Sequence, residues 1–220
     1  MKGYSLMAGD LKTARRDFMK GILTEDSITE HPLDLLRLWY DDAVKAGAPD
    51  ANAMALATLD AQGYPVSRIV LLRDMTSAGL SFFTNYNSAK GLEIGKEPKG
   101  SLLFFWPGLE RQVRIAGAIA RLSNEESDLY FQSRPRESQI GAWASPQSAA
   151  LESRDELERL VAHYSEKFAQ SGTIPRPPHW GGYRLCPVAF EFWQGRESRL
   201  HDRLKAKSTN GGWVWGRLAP

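Results

Sequence analysis

The most constraining feature of the chain is a succession of extended segments joined by tight turns, with no helices alternating between them. AMALATLD (53–60), AQGY (61–64) and PVSRIVLLR (65–73) read as strand, turn and strand. GLSFFTN (79–85) is a third strand, and SLLFFWP (101–107) with ERQVRIAGAIARL (110–122) reads as a hairpin. YRLCPVAFEFWQG (183–195) and GGWVWGRLAP (211–220) return to strand character. Strand–helix alternation is absent and there is no G-x-G-x-x-G, which excludes a dinucleotide-binding doubly wound fold. About five to seven strands with helices around them predict a mainly β chain, a small and mostly antiparallel barrel. Apolar residues on both sides of the alternation in PVSRIVLLR predict that both faces of that strand are covered.

Helical signals frame the strands. PLDLLRLWYDDAVKAG starts with Pro32 in the first turn and stops near Gly47, with Leu35, Leu38, Trp39 and Asp42 at helical spacing. Asn87-Ser88-Ala89-Lys90 opens a short helix that ends before Pro98. Ser123 with Glu126 has capping-box spacing, and Pro135 interrupts the helix that follows and starts another. Arg154 to Gln170 is a charged amphipathic helix. Residues 1–30 read as an arm outside the main core, and 31–220 as one domain.

At 220 residues the chain has length for one well-packed core. A net charge of +2 is too small to argue for nucleic acid, and no apolar run is long enough to span a bilayer. The N-terminal stretch lacks the apolar run of a secretory signal, and a single cysteine, Cys186, makes no internal disulfide; the reading is a cytoplasmic protein. The histidines His31, His163, His179 and His201 are scattered and show no metal-ligand spacing, and there is no G-x-S-x-G.

The chemistry that remains is anion binding. Arg68 lies within an apolar strand and Arg73 ends it; a buried arginine needs a partner, which an internal ion pair also supplies. Ser88 and Lys90 stand where a helix begins, a place for a phosphate or for an ordinary cap. Tyr130, Arg134 and Ser138 recur every four residues, on one face if the helix is continuous. Arg199, His201 and Arg203 alternate, so an extended segment aims all three one way. Residues alone give a barrel that binds one or two phosphorylated compounds, and they leave the reaction open.

Several strings resemble the pyridoxamine/pyridoxine 5'-phosphate oxidase family: RIVLLR (68–73), FFTN (82–85), SLLFFWPGLERQV (101–113), YFQSRPRESQIGAWASPQS (130–148), HWGGYRL (179–185), FWQGRESRLHDR (192–203) and the ending RLAP. The resemblance implies an FMN-binding split barrel working as a homodimer, with FMN between the subunits. It implies that phosphorylated B6 vitamers are oxidised by O2 to pyridoxal 5'-phosphate. The residues implied for FMN are the strand Arg68, Ile69, Val70, Leu71, Leu72 and Arg73, then Phe83, Thr84, Lys90, Gln112, Gln147, Ser148, Trp193 and Arg203. For the substrate they are Arg73, Tyr130, Arg134 and Ser138 at its phosphate, Arg199 and His201 over its ring as the catalytic pair, and Arg15 in an N-terminal flap. The chain departs from the familiar bacterial pattern at Arg73, where lysine is common, at Ala89, where an arginine often helps hold the FMN phosphate, and at Phe18, which replaces a tyrosine. Rival readings are a flavin oxidase of another cyclic compound such as a phenazine precursor, a non-catalytic flavin or pyridoxal phosphate carrier, and a nucleic-acid module.

Overall fold

The computed structural model describes residues 18–220. Among these residues nine strands form one antiparallel sheet in the order β2-β1-β5-β6-β7-β4-β3, with β8 added to β7 and β9 to β8. They are β1 (Ala53–Leu59), β2 (Pro65–Leu71), β3 (Asp74–Thr76), β4 (Gly79–Asn85), β5 (Lys99–Trp106), β6 (Arg111–Arg121), β7 (Trp180–Gln194), β8 (Asp202–Thr209) and β9 (Gly212–Leu218). The fold is a mostly antiparallel split barrel with peripheral helices, as expected. Two strands beyond the expected set are β3, three residues long, and β8, which continues from the basic segment before it.

The curl of the sheet depends on β7. Along one edge it pairs with β6 from Tyr183 to Gln194; along the other it pairs first with β4 (Leu80↔Leu185 to Asn85↔Trp180) and then with β8 (Ala189↔Lys207 to Gln194↔Asp202). Pro187, which has no N–H to give, stands between the two partners. A bulge there leaves Val188 unpaired opposite the Ala116–Gly117 step. The extra residue flips the parity of the buried side chains, from Tyr183 and Leu185 to Phe190 and Phe192. Gly117 belongs at this crossing, because a Cβ would lie 2.1 Å from the Cys186 carbonyl oxygen.

The main core joins Leu56, Leu80, Phe82, Leu102, Phe104, Val113, Ile115, Phe192 and Leu204 from the strands to helix α1 (Pro32–Lys45). Leu33, Leu35, Leu36, Trp39 and Ala43 form the buried face of α1; Leu38 is 57% exposed, so the apolar stripe lies one step to the side of the expected one. Gly47, at φ 69°, follows its end. Leu23 is buried in the same core, so the described part of the arm packs on the barrel and is not outside it.

A second, smaller core joins Phe131 of α3 (Asn124–Ser133), Ile140 and Ala142 of α4 (Arg136–Ala144), Phe168 at the C-cap of α5 (Arg154–Lys167), Ile174 and Trp180 at the start of β7. Ser123 and Glu126 make the expected capping box, and Pro135 separates α3 from α4. Ser88 caps α2 (Ala89–Lys96).

The expectation of two covered faces on β2 does not hold within this chain. β2 is an edge strand; Val70 is buried, while Ile69 is 66% and Leu71 37% exposed, because none of the other described residues lies over them. Among the described residues no helix is long and apolar enough to cross a membrane.

Candidate active site

Seven of the polar and aromatic residues singled out by sequence meet in one cavity of about 310 Å³: Arg73, Phe83, Thr84, Lys90, Tyr130, Arg134 and Gln147, with Ile69, Val70 and Leu71 along its β2 side. Four elements deliver them. Arg73 follows β2, its N–H donating to the Ser81 carbonyl at 2.9 Å; Phe83 and Thr84 end β4; Lys90 lies in the first turn of α2; Tyr130 and Arg134 come from the last turn and C-cap of α3. Gln147 closes the ring, its Oε1 accepting from Thr84 Oγ1 (3.0 Å) and Asn85 N (3.3 Å). Among the described residues no carboxylate lines this cavity.

Its wall is aromatic. Phe83 stacks on Tyr130 with ring centroids 3.8 Å apart, and Tyr130 runs nearly parallel to Trp180 at 6.2 Å. The Arg134 guanidinium sits 4.5 Å from the Trp180 centroid, and that of Arg73 5.9 Å from Tyr130. Burial, then the neighbouring Arg73 charge, holds the Arg134 pKa below the ordinary guanidinium range. Its Nη1 is buried with no hydrogen-bond partner among the described residues. A desolvated, unpaired guanidinium nitrogen is costly unless an anion completes it. A phosphate fits this need.

Lys90 is a second cation. Its Nζ donates to Thr84 Oγ1 at 3.4 Å, and burial, then the Arg68 charge, lowers its pKa. Arg68 itself stands behind the cavity wall, its Nη2 2.7 Å from Glu93 Oε2 and its Nη1 bonded to Thr58 Oγ1; Thr58 donates in turn to Glu93 at 2.5 Å. The internal ion pair expected for a buried arginine is therefore present, and Arg68 itself does not line the cavity.

The other expected residues lie elsewhere. Leu72 is buried in the main core. Ser148, at φ 71°, borders a neighbouring pocket of about 650 Å³. Ser138, half-buried in α4, does not line the cavity: Pro135 breaks the helix, so the four-residue spacing does not put Tyr130, Arg134 and Ser138 on one face. Arg15 lies outside the described residues.

A second group forms at the far end of β7. Gln112, Trp193 and Arg203 are direct cross-strand neighbours on β6, β7 and β8. Arg203 donates to Glu191 Oε1 through Nε (3.0 Å) and Nη2 (2.9 Å); Glu191, 6% exposed, also pairs with Arg114. Trp193 packs against His201 (4.6 Å) and Phe18 (5.8 Å).

The expectation of an extended segment aiming Arg199, His201 and Arg203 one way is overturned. Glu197–Arg199 is a 3-10 turn with Ser198 and Arg199 at φ 54° and 62°, and β8 starts only at Asp202. His201 turns onto Trp193, Arg203 reaches Glu191, and Arg199 is exposed. Burial, then the Arg199 charge, holds the His201 pKa below the usual imidazole value.

Trp180, Glu93 and Glu191 were missed as functional candidates. Trp180 had a signal, its place in HWGGYRL; the two glutamates had none, since their importance comes from the arginines that the fold brings to them.

About 13 residues of β7, roughly 40 Å along the strand, separate Trp180 beside the first group from Trp193 in the second. A curled antiparallel sheet with this cation-lined cleft belongs to the class of FMN-binding split barrels. Residues 40–168 match the family described as Pyridoxamine 5'-phosphate oxidase, and 180–220 match the Pyridoxine 5'-phosphate oxidase C-terminal dimerisation region. The Pyridoxine/pyridoxamine 5'-phosphate oxidase of Pseudomonas savastanoi pv. phaseolicola is 51% identical over 217 residues, covering 97% of this chain and 100% of that protein. That of Polynucleobacter asymbioticus is 52% identical over 206 residues, covering 94% and 97%. Among solved structures, PhzG from Burkholderia lata 383 in complex with tetrahydrophenazine-1-carboxylic acid has a TM-score of 0.84 at 30% identity, covering 90% of this chain and 98% of that one. The chain belongs to the pyridoxamine 5'-phosphate oxidase family.

Proposed function

We propose that the protein oxidises pyridoxamine 5'-phosphate and pyridoxine 5'-phosphate to pyridoxal 5'-phosphate, using FMN and O2 and releasing H2O2, with ammonia from the amine. The observation that carries this reading is Arg134: a buried guanidinium nitrogen beside Arg73, with neither a hydrogen-bond partner nor a carboxylate in the cavity among the described residues. Such a site is poised for a phosphate dianion and favours a phosphorylated substrate over an uncharged one.

FMN, when bound, supplies the electron acceptor and the route to O2, which no side chain of this chain provides. The protein's part is placement. Arg73, Tyr130 and Arg134 anchor the substrate phosphate, remote from the reacting carbon, so binding energy is used to fix orientation. Phe83, Tyr130 and Trp180 keep water from that anchor. Lys90, backed by Arg68 and Glu93, is the clamp for the FMN phosphate. Gln112, Trp193 and Arg203 are the remaining FMN contacts, and Arg199 and His201 cover the substrate ring.

One copy cannot bring these groups to one ligand, because β7 holds them apart. We therefore read the working form as a homodimer in which each site takes the cavity from one subunit and the Trp193–Arg203 group from the other. The exposed Ile69 and Leu71 on β2 supply an apolar face for that contact.

The likeness to PhzG favours a second reading, oxidation of a tricyclic carboxylic acid. Oxygen uptake separates the two. Pyridoxine 5'-phosphate should drive H2O2 formation, and unphosphorylated pyridoxine should not; turnover of a tetrahydrophenazine acid in place of the B6 phosphate would reverse the assignment.

A further inference from the structure

We propose that Glu110 is a positioning residue: its buried carboxylate seats the N-terminal arm so that Phe18 lies against Trp193 and His201, and this seat governs how tightly the substrate is held. The second half rests on the reading that the Trp193–Arg203 group faces the ligands. Residues 18–24 form neither helix nor strand, so their backbone N–H groups have no ladder to pair with. Glu110 supplies an acceptor from 91 residues away in sequence: its Oε2 accepts from Met19 N at 2.8 Å and from Lys20 N at 3.0 Å. Lys20 Nζ adds a bond to the Gly108 carbonyl at 2.8 Å.

The turn between β5 and β6 is shaped for this grip. Glu110 is 5% exposed and sits at φ 57°, in the left-handed region that a Cβ disfavours. Its own carbonyl accepts from Gly195 N (2.8 Å) and Gln194 Nε2 (3.2 Å), which ties the turn to the end of β7. A buried carboxylate is costly without donors, and backbone amides of the arm supply them here. Strain of this kind collects where a fold holds a functional group.

The residue next to the grip is Phe18. Its ring meets Trp193 edge-on at 5.8 Å and His201 at 5.5 Å between centroids. Gly195 leaves the room for it, since a Cβ there would lie 2.7 Å from Phe18 Cδ1. A second hold lies further along the arm, where Leu23 N donates to Asp202 and the Leu23 carbonyl accepts from Arg217. Asp202 also bonds Arg196 beside the 3-10 turn, so its loss would disturb that turn as well. Glu110 is therefore the place where the arm can be released with the sheet intact.

The test is hydrogen exchange of the FMN-loaded protein, read by mass spectrometry on peptides covering residues 18–24, in the parent, E110A and E110Q. In E110A the arm peptide should exchange about tenfold faster while peptides of the barrel exchange as in the parent. Glutamine keeps a carbonyl acceptor, so E110Q should retain most of the protection. Steady-state kinetics reads the consequence. With pyridoxine 5'-phosphate, E110A should raise KM about tenfold, the scale of one hydrogen bond, with kcat within about threefold, and E110Q should restore both. An arm that stays protected in E110A, protection lost throughout the barrel, an unchanged KM, or equal effects in the two variants overturns the inference. Exchange is read without turnover: absence of oxidase activity in the unaltered protein would end the functional reading, and the exchange result would still decide whether Glu110 seats the arm.

Discussion

Arg134→Met is the most informative single change. It keeps an unbranched side chain over the Trp180 ring and removes a charge that no described residue neutralises. Two structural quantities set opposite signs for function and stability. On binding, the substrate phosphate loses a charge-assisted hydrogen bond to a buried donor, worth about 1.5–3 kcal/mol. That is roughly 13- to 160-fold in kcat/KM for pyridoxine 5'-phosphate. In the ligand-free protein the variant gives up the contact with Trp180 at 4.5 Å, about 0.5–1 kcal/mol. It also removes an unpaired buried nitrogen and its repulsion from Arg73, which costs about 1–3 kcal/mol. The balance favours the variant by ~1 kcal/mol, a rise of about 2–4 °C in Tm for a chain of this size. Steady-state kinetics and melting of the ligand-free protein read both numbers. A variant with a lower Tm and unchanged kcat/KM would show that Arg134 is a structural arginine, and the phosphate site would have to lie elsewhere.

Three further outcomes are expected. Glu93→Ala should free Arg68 from its anchor and reduce the preference for FMN over riboflavin by about tenfold, while Glu93→Gln keeps it; an unchanged preference in E93A would separate Arg68 from the FMN phosphate. Ile69→Asp places a charge on the exposed β2 face and should give a folded species of 24.6 kDa by light scattering, where the unaltered protein gives twice that mass; a dimer that persists would move the interface off β2. Glu25 is held at a pKa of about 2, first by the hydrogen bond from Arg217. A depressed carboxylate stabilises the fold above its ordinary pKa of 4.5 and stops doing so as pH falls through about 2. Glu25→Gln should therefore be less stable than the parent at pH 7 and indistinguishable from it near pH 2; a gap that persists in acid would show that the contact is not a charge effect.

Much of the architecture was legible because its signals are local. Ser123 with Glu126, Ser88, and Pro32 each fix a helix start within a turn of sequence, and the structure has all three. The hairpin of β5 and β6 follows from two apolar runs with a short connection. What was not legible depends on distant partners. Arg199 to Arg203 alternates like a strand, but the turn at Ser198 is set by Asp202 reaching Arg196, Leu23 and Arg217. The apolar residues of PVSRIVLLR suggested a covered strand, and their cover is not among the described residues. At the site, Arg73 and Arg134 could be singled out as anion ligands by residue type. That they share one cavity, while Trp193 and Arg203 stand at the opposite end of a 15-residue strand, needed the fold.

The central claim is tested most directly by anaerobic mixing of the FMN-loaded protein with pyridoxine 5'-phosphate in a stopped-flow spectrometer, followed by admission of O2. The account predicts loss of the flavin's visible band with one equivalent of pyridoxal 5'-phosphate formed per flavin. The band should then return on oxygenation with one equivalent of H2O2. A flavin that stays oxidised with saturating pyridoxine 5'-phosphate or pyridoxamine 5'-phosphate would contradict it.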